Sequence, residues 1–124
     1  MGNNSLPDWG RVETDSGGTT RLKSYSNPDD TTTRFVNDVS DVTSELFDLL
    51  ITKHHDYGPK NISQSPGGAL NGLRVRLWDK LARLNNLVDT GVHPQHESLE
   101  DTFKDMANYA IIGLLVLRGK WDNE

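Results

Sequence analysis

Between Leu70 and Val88 an apolar stripe runs through Leu70, Leu73, Leu77, Leu81, Leu84 and Val88, spacings of three and four that place them on one face of an α-helix. Two more stretches carry the same period. Phe35, Val39, Val42, Leu46, Leu49 and Leu50 form a stripe on a first helix, which Asp30 or Thr31 can cap and which should run to about His55. Gly58 followed by Pro59 stops it. A loop of about eight residues then leads to Ser65-Pro66, a cap and a first helical position for the second helix, which Asp89-Thr90-Gly91 ends after Val88. Ser98 and Asp101 have the spacing of a capping box that opens a third helix, ending near Gly119. From Met106 to Leu117 this helix is apolar all round except at Asn108, the Tyr109 hydroxyl and Gly113. Such a helix must be surrounded by protein, and two neighbours do not surround it. The expected fold is all-α, a helical bundle of three main helices completed by oligomerisation. No segment reads as a strand.

Residues 1–30 are rich in Gly, Ser, Asn, Asp and Thr, with Gly17-Gly18 as a turn signal. They read as a polar, loosely ordered N-terminal arm preceding an all-α domain over 31–124. Cysteine is absent, which excludes disulfides, thiolate nucleophiles and zinc–cysteine sites, and no apolar run approaches the roughly 18 residues of a membrane span. A cytoplasmic protein without a membrane partner is expected. The net charge of −5 argues against binding to duplex nucleic acid. That average conceals a division, because residues 58–88 carry five Lys/Arg against one Asp while 31–57 and 89–124 are acidic. A small phosphorylated ligand suits the cationic segment.

The chemistry-bearing residues lie on the flanks of the helices. Asp101, Asp105, Asn108 and Ile112 share one face, which runs from carboxylates into apolar surface, so Asp105 and Asn108 should be partly enclosed. In the blander reading Glu100 and Asp101 are first-turn acids favoured by the helix dipole. Asp38, Asp41, Glu45 and Asp48 flank the first stripe; Glu45 and Asp48 are the preferred pair to join Asp101 and Asp105 as oxygen ligands of Mg²⁺. Their alternative is a solvated acidic face. Arg76, Lys80 and Arg83 lie on one flank of the second helix and suit phosphate, against the alternative of an Asp79–Arg83 surface pair. Lys53 closes the first helix near Tyr57, a flat ring for a base or a core plug, and Lys60 and Asn61 offer donors. His54 and His55 are adjacent and diverge on a helix, and no phosphate-binding glycine fingerprint is present.

Three motifs in order carry a resemblance. They are Lys53…Asp56-Tyr57-Gly58, then Arg76…Asp79-Lys80…Arg83-Leu84, then Glu97-Ser98…Asp101…Asp105…Asn108-Tyr109-Ala110. Over about residues 35–121 the chain resembles the phage-associated "nucleotide modification associated" domain family. More distantly it is similar to the all-α NTP pyrophosphatases of the MazG and dimeric dUTPase type. The resemblance implies a helical homo-oligomer with a nucleotide site between helices. It also implies Mg²⁺ held by Glu45, Asp48, Asp101 and Asp105, with Asp101 and Asp105 catalytic and Lys80 and Arg83 on the phosphates. Those pyrophosphatases use a Glu-x-x-Glu pair followed closely by Glu-x-x-Asp. Here the gap from Asp48 to Asp101 is too long for that pattern, and the second helix carries Arg76, Asp79, Lys80 and Arg83 instead. Two functions are therefore expected of such a site: Mg²⁺-dependent hydrolysis of a (d)NTP to monophosphate and pyrophosphate, or non-catalytic sequestration of a nucleotide such as a defence signal. A module that recognises another protein through its charged faces is the third.

Overall fold

In a computed structural model of the protein, the described residues are 31–122 and two short strands, β1 (Val12–Thr14) and β2 (Thr20–Leu22). The rest of the arm expected over 1–30 lies outside the described residues. The strands pair antiparallel, Val12 opposite Leu22 and Thr14 opposite Thr20. No strand was expected, because three residues are too few to display a period of two.

Among the described residues four helices make the fold all-α: α1 (Thr31–Tyr57), α2 (Lys60–Ser63), α3 (Ala69–Thr90) and α4 (Leu99–Leu117). The chain divides into two compact units, Met1–Glu45 and Leu46–Glu124, with α1 running through the division. The first unit holds the hairpin and the start of α1, where Thr33 is buried while Phe35, Val39 and Val42 are exposed.

The second unit is built on α3 packed against α4, with α2 laid on α3. Its core is small. Ile62 from α2, Leu73 from α3 and Ile112 from α4 are buried together, and Leu50, Ala69, Tyr109, Val116 and Trp121 pack on them. Of the stripe on α3 only Leu73 is buried, Leu77 and Leu84 are half-buried, and Leu70 at its start is exposed. Leu81 and Val88, further along it, are exposed, as are Leu114 and Leu117 on α4.

Two boundaries differ from the sequence expectation. The loop after α1 contains the extra turn α2, tied by Ser63 N–H to Pro59 O at 3.0 Å and Gln64 N–H to Lys60 O at 2.9 Å. Helix α3 starts at Ala69 rather than Pro66, because Gly67 and Gly68 adopt φ of +80° and +95°, which no right-handed helix contains. Ser65 is thus not a helix cap. Its hydroxyl donates to Asn61 O at 2.9 Å and accepts from Arg76 Nη1 at 3.3 Å. The capping box of α4 forms as expected, Asp101 N–H donating to Ser98 Oγ at 3.0 Å and Ser98 N–H to Asp101 Oδ2 at 3.2 Å.

Gly72 is buried where α3 meets the 65–68 turn. A Cβ there would overlap the Ser65 side chain and lie 2.9 Å from Arg76 Nη1. Gly72→Ala is expected to destabilise the domain by about 1–3 kcal/mol in urea titration. Combining it with Ser65→Gly should recover most of the loss in a double-mutant cycle, since the clash is with that side chain.

Candidate functional site

The end of α1, α2, α4 and the segment after α4 surround a cavity of about 360 Å³, within the size range of small-molecule sites. Helix α1 contributes Leu50, Lys53, His54 and Tyr57, and α2 contributes Asn61 and Ile62. Arg76 reaches in from α3; Asp105, Asn108, Tyr109 and Ile112 come from α4, and Trp121 closes the far side. The wall is mixed by design of the helix periods. Positions 105, 108, 109 and 112 are successive members of one α4 face, which is why a carboxylate, an amide, a phenol and an aliphatic side chain meet there.

One ion-pair chain starts at the charged part of this wall, at Lys53 and Asp105, and runs away from it. Lys53 Nζ lies 2.8 Å from Asp105 Oδ1, and Lys80 Nζ lies 2.9 Å from Asp105 Oδ2. Lys80 also donates to Glu97 Oε1 at 2.7 Å. Arg83 continues the chain, its Nη2 donating to Glu97 O and its Nε to Thr102 Oγ1 at 3.2 Å. Thr102, fully buried, passes its own hydroxyl hydrogen back to Ser98 O at 3.2 Å. The chain fixes α1, α3, α4 and the 91–98 connection against one another.

The expected phosphate flank of α3 is thereby divided. Arg76 alone of its three cations lines the cavity, held by Asn61 O at 2.8 Å from its Nη2. Lys80 and Arg83 sit outside the lining and face Glu97, a carboxylate that comes from the loop and has no helical period to reveal it. Lys60 also points away, 3.4 Å from Asp122. Lys53, Tyr57, Asn61 and Asn108 are brought to the cavity together. His54 and Trp121, which packs edge-to-face on it at 4.9 Å and donates its Nε1–H to Pro59 O, complete the wall without a sequence signal that singled them out.

Burial pushes the Asp105 carboxyl up, but the hydrogen bonds from Lys53 and Lys80 outweigh it and leave it below the usual aspartate range. For Lys80 burial acts to lower the value, and Glu97 and Asp105 reverse that and raise it. Ser98, through its hydroxyl and then its backbone, holds Asp101 low. A carboxyl depressed in the folded state stabilises above its unfolded value of about 4 and loses that contribution as pH falls through the folded value. A raised lysine stabilises below its unfolded value of about 10.4 and loses the contribution as pH rises through the folded one. The melting temperature is therefore expected to hold across neutral pH and fall below about pH 4. In Asp105→Asn the acid limb, followed by circular dichroism, should be shallower.

The same chain bears on a divalent cation. Asp105 is engaged by two ammonium groups, Asp101 closes the capping box, and Glu45 and Asp48 are exposed on α1. Among the described residues no group of three or more His, Asp or Glu side chains is placed to hold a metal ion. Mg²⁺ usually takes one or two carboxylates together with water and substrate phosphate, and here Asp105 would have to exchange an ammonium partner to serve as one of them.

Residues 53–117 match the family model "Nucleotide modification associated domain 1", a span of more than half the chain. The chain belongs to the nucleotide modification associated domain 1 family. In this member the matched span begins at Lys53 on the cavity wall and ends with α4, so it contains the ion-pair chain and most of the cavity. Neither a search of curated proteins nor one of solved structures gave a match. No helix among the described residues of this family member is long and apolar enough to cross a membrane.

Proposed function

We propose that the protein binds a nucleotide in the cavity between α1, α2 and α4, with Lys53 and Arg76 facing its phosphates and the Tyr57 ring its base. The observation that carries this is the composition of the wall. Two cations, exposed aromatic surface at Tyr57, a buried amide and a half-buried imidazole meet in one space of about 360 Å³. Family membership agrees with a nucleotide as the ligand. The phage-type, MazG-like reading rests on the three motifs alone.

Hydrolysis of a (d)NTP is the second reading, favoured by Asp105 reaching the cavity from the same helix as Asp101. Sequestration needs only the cations. Incubating the protein with dNTPs, NTPs and cyclic dinucleotides, with Mg²⁺ or EDTA, and chromatographing everything recovered after denaturation separates the two. Intact ligand released from the denatured protein, with EDTA without effect, supports a binder. Monophosphate and pyrophosphate formed only with Mg²⁺ support the pyrophosphohydrolase. No retained ligand and no product would contradict both.

A homo-oligomer belongs to the same proposal. Among the described residues the single chain leaves Trp78 on α3 and Leu114 and Leu117 on α4 more than half exposed beside a core of three buried apolar residues. A second copy covering these positions would supply the missing apolar burial. Light scattering should give a mass above 13.9 kDa for the wild type and a monomer mass for Leu114→Glu. A monomeric wild type would contradict this.

A further inference from the structure

Part of the cavity wall cannot be satisfied by phosphate. Asn108 is 6 % exposed and donates its Nδ2–H to Leu46 O at 3.2 Å, which fixes the oxygen end of its amide. That oxygen, Oδ1, is buried and has no hydrogen-bond partner among the described residues. His54 Nδ1 is a second buried atom in the same condition, on a ring held edge-to-face against Trp121. Both residues line the cavity. Amide oxygens only accept, and the His54 ring presents Nδ1 as an acceptor in the tautomer that carries its proton on Nε2. Phosphate and carboxylate oxygens would set lone pair against lone pair there. A group bringing N–H donors would satisfy both atoms, and buried acceptors discriminate strongly for such a group.

We infer that Asn108 and His54 read the edge of an amino-bearing nucleobase, adenine, cytosine or guanine, while Lys53 and Arg76 hold its phosphates. This rests on the nucleotide site proposed above and specifies its ligand. An exocyclic amine offers two N–H donors at one edge. Uracil and thymine offer a single ring N–H between two carbonyl oxygens, so one acceptor on the protein always faces another on the base.

Calorimetric titration of the full chain in EDTA with two matched pairs, CTP against UTP and ATP against ITP, tests the assignment. In each pair the amino-bearing member should bind about tenfold or more tightly. In Asn108→Leu that ratio should fall towards one, and His54→Phe, which keeps the ring against Trp121, should reduce it independently. Melting curves report whether each variant folds, and either variant alone suffices. Equal affinity within both pairs, or a ratio untouched in a folded variant, would overturn base reading while leaving a nucleotide site intact. Failure of all four nucleotides to bind would instead remove the site itself.

Discussion

Leu73→Ala should destabilise the protein by about 2–5 kcal/mol, the cost of deleting a fully buried leucine from a core that cannot collapse around the gap. Leu73 is 3 % exposed and is one of three buried apolar residues among those described, with Ile62 and Ile112 as its neighbours. Few contacts remain to take over when it is lost. For a folded unit of this size each kcal/mol shifts the melting temperature by roughly 4–8 °C, so a fall of 10 °C or more is expected by circular dichroism. Leu70→Ala, one turn earlier on the same helix but 51 % exposed, should change the melting temperature little. Equal effects at the two positions would mean that the core has been misplaced.

The second large effect concerns ligand affinity and has opposite signs at two ends of one ion pair. Lys53→Met removes a cation from the cavity and leaves Asp105 paired with Lys80, so the fold should survive. Affinity for a nucleoside triphosphate should drop by roughly 10- to 100-fold, the usual value of a charge-assisted hydrogen bond to phosphate. Asp105→Asn does the reverse. It takes a negative charge off the wall and releases Lys53, and binding should tighten on the order of threefold to tenfold. It should also cost about 1–2 kcal/mol of stability, less than a fully buried pair, because Lys53 is half exposed and Lys80 retains Glu97. If Asp105 instead serves hydrolysis, the same variant loses turnover with Mg²⁺. Titration and product chromatography on one preparation distinguish these outcomes.

The helices were legible because three stripes at spacings of three and four leave no other regular conformation, and the Ser98–Asp101 box marked the start of α4 to the residue. Enclosure of Asp105 and Asn108 was legible too, since both sit where one face of α4 turns from polar to apolar. What escaped the sequence has physical causes. The start of α3 is displaced because two consecutive glycines take left-handed torsions, a choice glycine permits but does not announce. The flank formed by Arg76, Lys80 and Arg83 is real on the helix, yet its members meet different partners. Arg76 meets the backbone of α2, while Lys80 and Arg83 meet Glu97 from a connecting loop. Helical periodicity shows which side chains share a face and is silent about what faces them. His54 and Trp121 come to the cavity through contacts such as Trp121 to Pro59, 62 residues apart in the sequence, which are tertiary and leave no local trace.

The measurement that bears most directly on a nucleotide site at this cavity is calorimetric titration of wild-type protein, Lys53→Met and Arg76→Met with one nucleoside triphosphate in EDTA, beside their melting curves. Saturable binding at one site per chain, weakened at least tenfold in both folded variants, is the expected result. Absence of saturable binding by every nucleotide tried, or binding indifferent to both cations, would contradict it.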